Sequence, residues 1–319
     1  MGTLTFTLNA FLSVRSVVGD TLHELGMKHD NVWGLTADTG GSLKAFKQDC
    51  RERYIDVGIA EQNLVGIAAG LALEGNIPYI MGMIPFMTMR AYEQIRTAVC
   101  YHNLPVRFIG TGGGLTSGGG STHNAMEDIN IMKSIVNMSV VSIADPNMVR
   151  DILIESMTYK GPLYIRLTQG KKDRVLYEPS DKQEYEIGRG LLVRSGRDAT
   201  IFAHGEMVFE GIIAAEELAK DGINVQVVDM YSIKPLDTDL LFQAIKDTGK
   251  ILVLEDHLMM GGLASSIADT ITDSGIYPKK FKRLGIPQVY AGFGSGPELR
   301  AKYGYDSGAA VAAIKEMLN

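Results

Sequence analysis

The stretch Tyr54-Ile55-Asp56-Val57-Gly58-Ile59-Ala60-Glu61-Gln62-Asn63 decides the fold. Its first residues, Tyr54 to Val57, alternate as a short strand. The helical pattern begins at once, at Ile59, and runs to Leu73, rich in Ala and Gly and so expected to pack closely. A strand that turns directly into a helix is half of a parallel βαβ unit. Glu61 then stands at the carboxyl edge of a sheet, where ligands bind in such architectures. Alone it also reads as an ordinary first-turn glutamate favoured by the helix dipole.

Outward from this stretch the alternation continues. Residues 14–28 form an amphipathic helix and Val32 to Leu35 a strand. Beyond 73 come strand Ile77 to Ile84, helix Phe86 to Tyr101, strand Val106 to Ile109, helix Met126 to Lys133 and strand Ser139 to Ile143. Pro146 to Met157 is a helix with Asp145 as N-cap, and Leu163 to Leu167 closes the set. Residues 168–190 are charged, poor in apolar residues and interrupted by Pro179, which marks a linker. A second unit follows. Its strands are Ala199 to Ala203, Val225 to Val228 and Ile251 to Leu254, and its helices Met207 to Lys220, Leu240 to Lys246 and Leu263 to Thr270. A last strand and helix Ala309 to Met317 end it. The expected fold class is α/β, two doubly wound domains with mostly parallel sheets, spanning residues 1–180 and 181–319.

Composition narrows the function classes. A net charge of −6 argues against nucleic acid or an anionic membrane as partner. Cys50 and Cys100 alone, with no metal spacing, suit a reducing compartment. Apolar runs are too short to span a membrane. No basic leader is seen, so a cytoplasmic location is expected. Thirty-six glycines in 319 residues exceed the usual ~7%. None completes G-x-G-x-x-G, a P-loop or G-x-S-x-G, which removes the common nucleotide and hydrolase signatures.

Two further segments place chemistry at strand ends. Met81 to Arg96 runs from strand into helix with Phe86 at the crossing. Gly118-Gly119-Gly120-Ser121-Thr122-His123 delivers a histidine to the start of a helix. Core packing accounts for Phe86 alone, and a satisfied helix-start role for His123 alone. A carboxylate, an aromatic ring and a histidine at successive strand ends are a more specific combination.

That combination resembles the C-terminal half of transketolase, and to a lesser extent deoxyxylulose-phosphate synthase. DVGIAEQNLVGIAAGLALEG (56–75), PFMTMRAYEQIR (85–96) and STHNAMEDINIM (121–132) resemble the pyrimidine-binding domain of thiamine-diphosphate enzymes. MYSIKPLD (230–237) and EDHLMMGGLASSIAD (255–269) resemble the smaller C-terminal domain. The resemblance implies that Glu61 hydrogen-bonds N1′ of the cofactor's aminopyrimidine, for which it must carry a proton. That bond favours the tautomer that draws the proton from the thiazolium carbon. Phe86 would stack on the pyrimidine, with Met83 and Met89 lining the pocket. Asp38 lies near its entrance. His123 would face the substrate and act on its carbonyl or protons. Arg15, Ser42 and Arg166 match residues that hold the substrate phosphate. Surface-helix, loop and strand ion-pair roles explain these three equally well. His257 is expected to be structural.

Departures accompany the match. Gly119 and Thr111 stand where transketolases commonly have Asp and His, which puts the usual sugar substrates in doubt. The diphosphate signature of the family, Gly-Asp-Gly followed by a downstream Asn, does not occur in the sequence. The resemblance therefore implies a partner, an N-terminal transketolase subunit that binds Mg²⁺ and the diphosphate, in an α2β2 assembly. The expected function is the C-terminal subunit of a split transketolase that transfers a two-carbon ketol unit from a ketose to an aldose. The β subunit of a 2-oxo-acid dehydrogenase E1 component has similar length and the same domain pair, and is the alternative. A non-catalytic subunit would not need Glu61, Phe86 and His123 together.

Overall fold

A computed structural model of the chain describes residues 10–115, 120–168, 172–177 and 185–319. Two sheets organise it. In the first, six parallel strands lie in the spatial order Ser139–Ser142, Leu163–Arg166, Arg107–Thr111, Ile77–Met83, Val32–Thr36 and Tyr54–Asp56. The second holds four parallel strands, Lys280–Ile286, Lys250–Leu258, Ala199–Ala203 and Val225–Asp229, with Leu191–Arg194 antiparallel at its edge. Helices connect the parallel strands, so the α/β class with two mostly parallel sheets holds.

A seventh strand of the first sheet comes from the second half. Ser232–Lys234 runs antiparallel to Ser139–Ser142, and Lys234 Nζ donates to the carbonyls of Lys133 and Ile135 at 2.8 and 2.7 Å. The apolar core is continuous across both halves. One cluster joins Leu163 and Ile165 to Ile201 and Val227. Another joins Ile80 and Phe108 to Phe202 and Val253.

The segment read as a linker is partly structured. Asp173–Arg174 pairs antiparallel with Phe11–Leu12. The Tyr177 hydroxyl donates to Asp229 Oδ2 at 2.8 Å. The expected boundary at residue 180 lies outside the described residues. Asp145 caps the helix Pro146–Ser156 through a bond from the Asn147 N–H, as its sequence position requires.

Two expectations are corrected. Helix Glu61–Leu73 buries Leu64, Val65, Ala68, Ala69 and Ala72, but Gly66 and Gly70 lie on its open side. A Cβ on either would meet no atom within 4 Å. Glycines that do relieve crowding lie elsewhere: in helix Val14–Lys28 a Cβ on Gly19 would sit 2.1 Å from Ser42 O. At Gly110 a Cβ would sit 2.6 Å from Ile84 Cγ1 and 3.2 Å from Met87 Cε. The single helix expected from Phe86 to Tyr101 is instead two π-helical turns, Phe86–Arg90 and Ile95–Cys100, around a short α segment, Tyr92–Gln94. The Thr88 hydroxyl bonds the Ile84 carbonyl at 2.7 Å inside the first turn, competing with the backbone ladder. Among the described residues no helix is long and apolar enough to cross a membrane.

Candidate active site

The carboxyl ends of the first sheet gather the candidate residues. After strand Val32–Thr36 the chain turns at Asp38, whose φ of 55° is left-handed. Its N–H donates to Asp56 Oδ1 at 3.0 Å. The 3₁₀ turn Gly40–Leu43 then carries Ser42. Strand Tyr54–Asp56 leads into helix Glu61–Leu73, so Glu61 opens the helix as its first residue. Strand Ile77–Met83 leads to the π turn bearing Phe86 and Met89. Met87, fully buried, packs against the bare backbone of Gly82 and Gly110, which sets the turn directly on the sheet.

The loop after strand Arg107–Thr111 is pinned at its base. Gly114 N–H donates to Ala125 O at 2.8 Å, and the Leu115 N–H reaches Asp256 Oδ1 at 3.2 Å. Gly114 is obligatory here. Its φ is +74°, and a Cβ would fall 1.9 Å from Asp256 Oδ2. His123 follows from this anchored base, with its N–H bonded to Gly120 O at 2.9 Å. The departure at Gly119 lies outside the described residues.

Glu61, Phe86 and His123 meet as one group. The two rings pack edge to face, Phe86 and His123 having centroids 5.2 Å apart at 82°. Thr122 Oγ1 lies 2.8 Å from His123 Nδ1. Glu61 is 5% exposed. A fourth residue joins them. Arg90 Nη1 donates to Glu61 Oε2 at 2.7 Å, while its guanidinium lies 4.8 Å from the centroid of Phe86. The cluster thus already takes a flat, nitrogen-bearing group that lies over Phe86 and bonds Glu61. Those are the two contacts an aminopyrimidine needs, so the residues fit that ring. Arg90 belongs to the motif 85–96, four residues after Phe86. Its signal is that spacing, which superimposes side chains on a helix.

The remaining candidates divide. Arg15 and Ser42 line one cleft of about 580 Å³, together with Lys44 and Asp20. Arg15 Nη2 is 3.4 Å from Thr111 Oγ1, so the residue at the departure from the family pattern touches the candidate anion-binding arginine. Arg166 is elsewhere. It is 4% exposed, with Nε bonded to Asp128 Oδ2 at 2.8 Å and Nη2 to Asp256 O at 2.9 Å. These bonds favour the strand ion-pair role over phosphate holding, because the guanidinium is spent inside the fold. Tyr164 donates to the same Asp128 oxygen at 2.7 Å. Burial and the adjacent carboxylate hold its phenol well above the usual range, so it stays a donor. His257 is fully buried, with Nδ1 against Leu258 O at 2.7 Å and Nε2 accepting from the Asn130 N–H at 3.4 Å. Both ring nitrogens are occupied, in keeping with a structural role. Among the described residues no group of acidic, His or Cys side chains is placed to hold a metal.

Residues 11–172 match the family profile of the transketolase pyrimidine-binding domain, and residues 188–309 that of the transketolase C-terminal domain. The chain belongs to the transketolase family. This transketolase-family chain is 37% identical to a putative transketolase C-terminal section of Methanocaldococcus jannaschii, covering 96% of each. It is 34% identical to a 6-deoxy-6-sulfo-D-fructose transketolase subunit of a Clostridium species, covering 95% of this chain and 94% of the other. It is 37% identical to an apulose-4-phosphate transketolase subunit of Actinobacillus succinogenes, over 86% and 88% of the two chains. A solved split-gene transketolase, described as an inactive β4 tetramer, superposes with a TM-score of 0.87 at 36% identity, covering 96% of this chain and 98% of that one.

Proposed function

We propose that this chain is the C-terminal subunit of a two-subunit, thiamine-diphosphate-dependent transketolase, and that it transfers a two-carbon ketol unit from a ketose to an aldose. The observation that carries the reading is the contact cluster in which Arg90 bridges Glu61 to Phe86 and Phe86 packs on His123. Thiamine diphosphate, when bound, supplies the carbanion chemistry. The chain's own residues do the rest. Glu61, buried at the head of its helix, hydrogen-bonds the pyrimidine ring nitrogen. Phe86 holds the ring face, and Met83 and Met89 flank it. His123, steadied by Thr122, faces the reacting carbon and moves protons of the sugar. Asp38 borders the entrance. Arg15, Ser42 and Lys44 receive the anionic end of the sugar. Two relatives are named for a phosphorylated and a sulfonated sugar, which supports an anion there.

The diphosphate and Mg²⁺ are assigned to a partner subunit, in an α2β2 assembly. The absence of Gly-Asp-Gly from the sequence supports this, as do the relatives named as subunits or sections. So does the open face of helix Glu61–Leu73, where Gly66 and Gly70 are bare and Leu73 is 65% exposed. We place the domain division at residue 180, between the two matched segments.

The test is reconstitution. The purified chain is mixed with a subunit that carries Gly-Asp-Gly, thiamine diphosphate and Mg²⁺. Ketol transfer from a ketose phosphate or ketose sulfonate is expected from the mixture and not from this chain alone. Turnover of a 2-oxo acid with an artificial electron acceptor instead would move the chain to the dehydrogenase reading. Unchanged activity in Glu61→Ala would refute the pyrimidine assignment.

A further inference from the structure

We propose that Arg90 occupies the place of the cofactor's aminopyrimidine in the free chain, and that this ring must displace it in order to bind. The proposal rests on the pyrimidine-site reading above. Both contacts required of the ring are already made by Arg90. Its guanidinium lies over Phe86 at 4.8 Å, and its Nη1 donates to Glu61 Oε2 at 2.7 Å. Two flat groups cannot stack on the same face of one phenyl ring. Glu61 Oε2 accepts from Arg90, whereas the ring nitrogen requires a carboxyl O–H that donates.

Arg90 is built to leave. The Glu61 side chain is 7% exposed, but that of Arg90 is 42% exposed. Among the described residues Arg90 makes no other hydrogen bond or ion pair, so an outward rotation breaks nothing in the core. The π turn Phe86–Arg90 carries the phenyl ring at its first residue and the guanidinium at its last. In the free chain this arrangement gives the buried Glu61 a partner and covers the phenyl ring. A ligand that replaces both contacts holds the open position best, which makes Arg90 a specificity residue for the ring.

The two contacts holding Arg90 are a half-exposed ion pair and a cation–π contact. Together they favour the closed position by about 3- to 30-fold. Apparent affinity for the ring is reduced by the same factor, since only the open fraction binds.

The full chain alone is titrated with 4-amino-5-hydroxymethyl-2-methylpyrimidine, a neutral probe that needs no diphosphate site and feels no charge repulsion from Arg90. Binding is followed by ligand-observed NMR, with thermal unfolding confirming that each variant folds. Arg90→Met is expected to bind the probe about 3- to 30-fold more tightly than wild type. Arg90→Lys, which keeps a cation for Glu61, should stay near wild type. Equal affinity in Arg90→Met and wild type, or no measurable binding by either, overturns the proposal. If the two affinities are measurable and equal and Glu61→Ala weakens binding, the pyrimidine-site reading survives it. Tightening that persists in the Glu61→Ala/Arg90→Met double variant would instead sink the pyrimidine-site reading itself.

Discussion

Replacing Arg166 by methionine separates two roles that the sequence leaves open. Methionine keeps the length and apolar stem of the side chain and removes the charge and every donor. In the structure Arg166 Nε bonds Asp128 Oδ2 at 2.8 Å, with side-chain exposures of 5% and 0%. Among the described residues Asp128 Oδ1 has no hydrogen-bond partner, so after the substitution the Tyr164 hydroxyl is the one described side-chain partner this carboxylate keeps. Breaking one side of a buried pair in this way costs about 3–5 kcal/mol. The loss of the bond to Asp256 O, which ties the first sheet to the second, places the expectation at the upper end. A chain of this length has an unfolding entropy of about 0.7 kcal/mol/K, so the transition should fall by roughly 4–7 °C. Calorimetry and urea titration on the purified chain measure both quantities. Asp128→Asn in the same chain should recover part of the loss, with a coupling of about 1–3 kcal/mol. A cost below about 1 kcal/mol, combined with a raised KM for an anionic sugar in the reconstituted enzyme, would refute the strut and restore the phosphate-holding role.

Three other substitutions address the floor of the site, the joint between the halves and the chemistry. Gly110→Ala forces a Cβ to within 2.6 Å of Ile84 Cγ1; urea unfolding should show a loss of about 1–3 kcal/mol from overpacking. Asp229, fully buried beside Tyr177 and Asp145, has its carboxyl pushed up to about 8 by burial and then by Asp145. The native state therefore holds a proton that the unfolded chain releases near pH 4, and stability should fall as pH rises from about 4 to about 8, by at most about 1.4 kcal/mol per unit. Denaturation midpoints at pH 5, 6.5 and 8 should show this slope in wild type and a flatter one in Asp229→Asn; parallel curves would count against it. His123→Ala should leave unfolding within about 0.5 kcal/mol of wild type while lowering turnover of the reconstituted enzyme by roughly 10²- to 10⁴-fold. A stability loss without a rate loss would make His123 structural.

Much of the architecture was legible because its signals are local. Strands such as Ile77–Met83 are short apolar runs bounded by turns, and the helices between them carry caps such as Asp145. The strand-end placement of Glu61 and Phe86 is legible for the same reason, since each follows its strand within a few residues. Arg90 carries no such signal, because an arginine four residues into a helix is as compatible with a solvated position as with a site. Only the fold lays it across Phe86 and against Glu61. For Arg166 the sequence leaves phosphate holding and a strand ion pair equally open, because its partners are distant in the chain. Asp128 is 38 residues away and Asp256 is 90. Strand Ser232–Lys234 has three residues, too few for a period to show, and its place comes from pairing with Ser139–Ser142.

The glycines show most clearly where local signals stop. An apolar helix studded with small residues reads as buried on all sides, and helix Glu61–Leu73 has that composition. Yet the same sequence pattern serves a helix that is packed on one side and bare on the other. Gly66 and Gly70 fall on the bare side, with Leu73 beside them exposed. A solvated helix face has no use for glycine, which costs about 0.5–1 kcal/mol relative to alanine at each site. A face that receives another backbone at close range does use it. The helix that is bare here is also the one that begins with Glu61, so whatever covers this face is built on the helix that carries the proposed pyrimidine contact. For this reason the open glycines bear on the proposed assembly and the proposed site together, and they give the subunit contact a place in the fold that Gly110 and Gly114, already covered by Ile84, Met87 and Asp256, do not offer.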